Sequence, residues 1–167
     1  MRPFHLTHRR GFSLVEATGA MIVVAVLLTA AMRAVGGVGL QRAKAREQAV
    51  AAALADALLS QVVQEAYEEP TAAVGFGTEA GETASNKATF DDVDDFNNWT
   101  ESPPRDSDNA TMSGLAGWTR AVGVTRVLAA TPATASASET GVKRITVTVK
   151  RGGATIATRS ALRSKAP

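Results

Sequence analysis

One stretch of the chain is apolar with no charge in it: Ala17 to Met32, ATGAMIVVAVLLTAAM, sixteen residues long. Phe12 to Val15 extends it upstream with Ser13 as the one polar side chain. A helix rising about 1.5 Å per residue needs roughly 20 residues to cross a hydrocarbon layer. Phe12 to Met32 supplies 21, so the pattern predicts a transmembrane helix. Beyond Met32 the pattern turns amphipathic. Leu54, Leu58, Val62 and Val63 recur at short helical steps with polar residues between them, which predicts a helix to about Tyr67. Pro70 marks its stop, because its ring disfavours helix in the residue before it. Gly36, Gly37 and Gly39 fall where the chain would leave the lipid. Each costs about 1 kcal/mol of helix propensity relative to Ala, so a bend or local melting is expected there, unless the glycines serve close helix packing.

After Pro70 the periodicity is lost. Thr71 to Gly117 is rich in Gly, Ala, Thr, Asp and Asn and reads as a long irregular connection. Three segments rich in Val, Ile and Thr follow, GWTRAVGVTRVLA, VKRITVTVKR and ATIATRSALR, and these predict strands. Ile145, Val147 and Val149 share one face, Thr146, Thr148 and Lys150 the other, and Arg151-Gly152-Gly153 predicts a tight hairpin turn. The apolar face of such a sheet would cover Leu54, Leu58 and Val62. The expected class is α+β: a long N-terminal helix on a small antiparallel sheet.

Composition narrows the chemistry. At 167 residues the chain holds one small domain plus an appendage, and 18 Lys and Arg against 16 Asp and Glu are too balanced to mark a nucleic-acid partner. Cysteine is absent, and the two histidines, His5 and His8, both lie ahead of the apolar run. With no Gly-rich phosphate loop and no spaced metal ligands, no catalytic centre is expected. The segment before the apolar run carries Arg2, Arg9 and Arg10 and no acid, which keeps that end in the cytoplasm and sends the C-terminal part across the membrane. The remaining charge is segregated. Gln64 to Met112 holds twelve acids against Lys87 and Arg105, and Ser113 to Pro167 holds nine bases against Glu139. The two parts would attract within one chain or between neighbours, or both would remain solvated surface.

Glu16 stands inside the membrane segment, where a carboxylate costs about 2.5–3.5 kcal/mol on insertion scales. Taken alone, it stabilises the positive end of its own helix, snorkels to the interface, or waits for a partner. Its surroundings are RRGFSLVEA, with Gly11 between an arginine pair and the apolar run and the glutamate five residues after that glycine. This arrangement resembles a type IV prepilin. The resemblance implies cleavage by a prepilin peptidase between Gly11 and Phe12, methylation of the new Phe12 amine, and pairing of that amine with Glu16 of a neighbouring subunit during assembly. The rival is an ordinary secretory signal, for which the small residues of AAMRAVGG would mimic a cleavage site. On the prepilin reading the chain divides into a leader (1–11), a transmembrane helix (12–34), an amphipathic periplasmic half-helix (35–69), an acidic loop region (70–117) and a β-sheet region (118–167).

Downstream, DDVDDFNNW, GWTRAVGV and GVKRITVTV are similar to minor pilins of the mannose-sensitive haemagglutinin type and to related minor pilins. The lack of a C-terminal cysteine pair, and of proline in the membrane run, departs from many major pilins. The resemblance thus implies a minor pilin or pseudopilin, a structural subunit entering a type IV pilus or type II secretion pseudopilus at the cell surface. Its partners would be the peptidase, other pilin or pseudopilin subunits, an inner-membrane assembly platform and lipid. The alternative is an anchored periplasmic binding module that never polymerises, with the acidic loop as its site. In that loop Asp91, Asp92, Asp94 and Asp95 lie within five residues, an oxygen-only set of the kind that suits calcium, although the spacing is not that of a calcium hand. The competing reading has Phe90, Phe96 and Trp99 anchoring the loop while the aspartates face water, with Asp106 to Asn109 forming turns.

Overall fold

The computed structural model describes residues 11–70 and 75–165, so the predicted leader, apart from Gly11, lies outside the described residues. The long helix is present: α1 runs from Leu14 to Gln64, 51 residues. The chain forms two compact units, Met1–Lys44 and Ala45–Pro167.

In the first unit α1 is unbroken through Gly36, Gly37 and Gly39, so the expected bend or melting is not found. Nothing lies within 4 Å of where a Cβ would stand at any of the three, and the helix ladder alone carries the cost of their backbone freedom. Phe12, Leu14, Met21, Leu27 and the other large apolar side chains here are exposed. The most apolar 18-residue window has a mean hydropathy of 2.1 and none of it is buried, so this is a helix long and apolar enough to cross a membrane.

In the second unit the rest of α1 buries Ala51, Leu54, Ala55, Leu58 and Val62, one stripe at three- and four-residue steps. Its cover is an antiparallel sheet. The strands are β1 (Thr100–Glu101), β2 (Trp118–Leu128), β3 (Thr131–Ala135), β4 (Val142–Arg151) and β5 (Ala154–Ser164), in the order β1-β2-β4-β5, with β3 on the far end of β2. The three long predicted strands are therefore β2, β4 and β5. Gly152 and Gly153 form the two-residue turn between β4 and β5 with φ of 55° and 87°, the left-handed pair that a type I′ hairpin demands. Trp118, Val122 and Val124 of β2 and Ile145, Val147 and Val149 of β4 meet the helix stripe in one core.

The helix ends three residues earlier than its periodicity predicts. The Ala66 amide donates to Asp91 O at 3.3 Å and Ala66 O accepts from Val93 N at 3.0 Å, so the chain pairs with the acidic connection instead of continuing the ladder. Tyr67 then turns inward, its hydroxyl on Glu139 and its carbonyl accepting from Lys143.

Candidate functional site

Gly11, Phe12 and Ser13 precede the first turn of α1, and Phe12 is 77% exposed. A helix begins with unpaired amides and a positive partial charge. Here the Ser13 hydroxyl accepts from Val15 N at 3.3 Å and Glu16 Oε2 lies 3.5 Å from the Ser13 amide. That second contact is long for a hydrogen bond. Glu16 therefore complements its own helix end only weakly, and its exposed carboxylate keeps room for another donor.

The second candidate lies in the acidic connection. Phe90, Phe96 and Trp99 meet edge-on, with centroids 4.8 to 6.2 Å apart, and sit in the core beside the helix stripe. They anchor the connection as expected. The Trp99 indole also donates to Ala84 O at 2.8 Å, which ties down the turn carrying Glu82.

The aspartates between these aromatics do not all face water. Asp91 does, but Asp92, Asp94 and Asp95 are buried. The physical reason is local satisfaction. Asp92 Oδ1 accepts from the amides of Asp94 (2.6 Å) and Asp95 (3.3 Å), and Asp95 Oδ2 accepts from those of Asp91 and Asp92, both at 3.0 Å. Side-chain oxygens thus take the amides of a tight 3₁₀ turn, Asp94–Phe96. Asp94 pairs with Lys143, whose ammonium is buried between Asp94 and the Tyr67 carbonyl. Asp106 forms a turn as predicted, its Oδ1 accepting from Asp108 N and Ala110 N.

Lys143 has a counterpart on β2. Arg120, also buried, donates to Glu101 Oε1 at 2.5 Å, to Leu54 O at 3.4 Å and to Arg105 O. Lys87 approaches the same carboxylate at 3.9 Å and donates to Arg105 O at 2.9 Å. Burial holds the Lys87 ammonium below the usual lysine range, against the pull of Glu101. The acidic connection is therefore docked on the basic sheet within one chain, through Asp94–Lys143 and Glu101–Arg120. Reading by residue type missed both buried cations, although the signal was present: Arg120 stands two positions before Val122 and Lys143 two before Ile145, on the inward parity of their strands.

The four candidate ligands are thus divided. Asp92 and Asp94 are occupied, whereas Asp91 and Asp95 converge with Glu82, an oxygen from each lying within 4.8 Å of the others. Glu82 belongs equally to a second such group with Glu69 and Glu79. Burial, then Asp95, Glu82 and Glu69, push Glu79 up to about 7. Burial likewise raises Asp95 to about 6, although two amides stabilise its charge. Partial desolvation and the Glu69 and Asp95 carboxylates raise Asp91. Asp95 Oδ1 and Glu79 Oε2 are buried and accept no hydrogen bond.

No protein-family model, no curated protein and no solved structure matches this chain.

Proposed function

We propose that the chain is a pilin-like subunit, a minor pilin or pseudopilin anchored by α1 in the inner membrane and built into a filament through that helix. The observation that carries this reading is Glu16, a lone carboxylate in the first turn of an exposed apolar helix, five residues after Gly11. Trimming between Gly11 and Phe12 creates an ammonium one helical turn away from that carboxylate in sequence. In low dielectric each charge is costly alone and is relieved by the other, so an incoming subunit that pairs its amine with an existing Glu16 gains what insertion cost. The role is structural: the chain binds its neighbours and transforms no substrate.

The test is N-terminal sequencing and intact mass of the membrane-extracted protein from cells with and without prepilin peptidase. A chain beginning at methylated Phe12 only when the peptidase is present is the expected result. A chain beginning after the apolar run, or at Met1, overturns it. Glu16→Leu should insert in the membrane as well as the parent does yet enter filaments less, measured by recovery in sheared filaments. The acidic cluster favours a second reading, an anchored periplasmic module that does not polymerise. On that reading Glu16→Leu changes nothing.

A further inference from the structure

We infer that Glu82, Asp91 and Asp95, with Glu79 and Glu69 beside them, form a calcium site. The argument starts from Asp95. It is 1% exposed, and its Oδ2 is committed to two backbone amides. Its Oδ1 is buried and accepts nothing. What lies around this carboxylate on the cluster side is more carboxylate: an oxygen each of Glu82, Asp91 and Asp95 lie within 4.8 Å of one another, and Glu82 converges in the same way with Glu69 and Glu79, whose Oε2 is a second buried oxygen that accepts nothing. An ionised carboxylate only accepts, so Asp95 Oδ1 gains nothing from another charged carboxylate beside it. A buried acceptor without a donor costs about 1–3 kcal/mol and more when charged, and a cation among the oxygens removes that cost.

The geometry suits calcium. Oxygens bound to one calcium ion at 2.3–2.6 Å lie at most about 5 Å apart. The three carboxylate oxygens here fall within 4.8 Å of one another. Asp91 is exposed, which leaves a side open to water for the remaining positions of a six- to eight-oxygen shell. Magnesium, which keeps a tight octahedron and several of its waters, is served less well by so many converging carboxylates. The scaffold is also in place before any ion arrives. Asp95 is set by the Asp91 and Asp92 amides, and Glu82 by the Glu79 amide, which donates to its Oε2 at 2.8 Å. Two of the four aspartates in the sequence cluster are excluded, Asp94 by Lys143 and Asp92 by the turn amides. Three glutamates outside it take their place.

The inference does not rest on the filament reading and survives its failure. Equilibrium dialysis of the full-length, detergent-solubilised protein against radioactive calcium at neutral pH tests it. One ion per chain is expected, with a dissociation constant of about 10⁻⁴–10⁻³ M, the range of extracellular modules. Asp91→Asn and Glu82→Gln should each weaken binding tenfold or more, and Asp108→Asn should leave it unchanged. Thermal melting in calcium, magnesium and chelator gives a second readout, since a ligand of the folded state raises the midpoint. Calcium should raise the parent's midpoint more than magnesium does. Asp95→Asn should melt no lower than the parent in chelator, because its amide supplies the missing donor, and should lose the calcium increment. No stoichiometric binding at millimolar calcium, or binding that survives Asp91→Asn, Glu82→Gln and Asp95→Asn alike, overturns the inference.

Discussion

Arg120 and Lys143 occupy positions on β2 and β4 that the strand period assigns to the core. Each is tolerable there because a carboxylate from the acidic connection reaches it. Desolvating an ion pair returns little net stability, but removing one member strands the other in a medium that cannot solvate it. Glu101→Ala should therefore destabilise the folded domain by about 3–5 kcal/mol, read by urea denaturation with the fluorescence of Trp99 and Trp118, both buried in the core. The double variant Glu101→Leu with Arg120→Met should recover at least half of that loss. A loss no smaller in the double variant would mean that the Arg120 bonds to the Leu54 and Arg105 carbonyls, not the ion pair, are what matters. The two cations also turn a chemical asymmetry into position. They fix where the acidic connection lies, and with it where Asp91, Asp95 and Glu82 meet.

At the scale of the elements, one helix has two solvents. Leu27 and Leu58 are the same residue type on the same α1, one exposed and the other buried under the sheet. Leu58→Ala should cost the folded domain about 2–5 kcal/mol, whereas Leu27→Ala should stay within roughly 0.5 kcal/mol, both measured by denaturation of the full chain in detergent. Equal losses would mean that the two stretches of helix are not supported differently. This division was legible in the pattern, because an uncharged run of sixteen residues and an amphipathic stripe differ in period and in charge. The strands and the Gly152-Gly153 turn were legible for the same reason, each being a local signal. The end of the helix was not, since Ala66 is claimed by Asp91 and Val93, residues beyond any local window. The fate of the aspartates was hidden likewise. Asp94 is buried by Lys143, 49 residues away, and periodicity carries no information about which distant charge will arrive.

For the whole molecule, the core that contains Leu54, Leu58, Phe96, Trp118 and Val147 draws every member from the second unit. A chain starting at Ala45 should therefore fold unaided and melt within about 4 °C of the same domain in the full protein, the shift that roughly 1 kcal/mol produces at this size. Differential scanning calorimetry of both would decide, and loss of a cooperative transition in the shorter chain would show that the second unit needs the first. The same core also imposes a schedule. Asp56 of the helix meets Arg159 of β5 across 103 residues of chain. Synthesis at 5–20 residues per second leaves about 5–20 s between the appearance of one and of the other. For much of that interval, until β2 and then β4 have been made, Ala51, Leu54, Ala55, Leu58 and Val62 stand in the nascent chain with no complete sheet to lie against. The lid of the helix stripe is finished only when β4 has been made, so a stall or truncation ahead of β4 releases a chain whose inward stripe is still waiting for its cover.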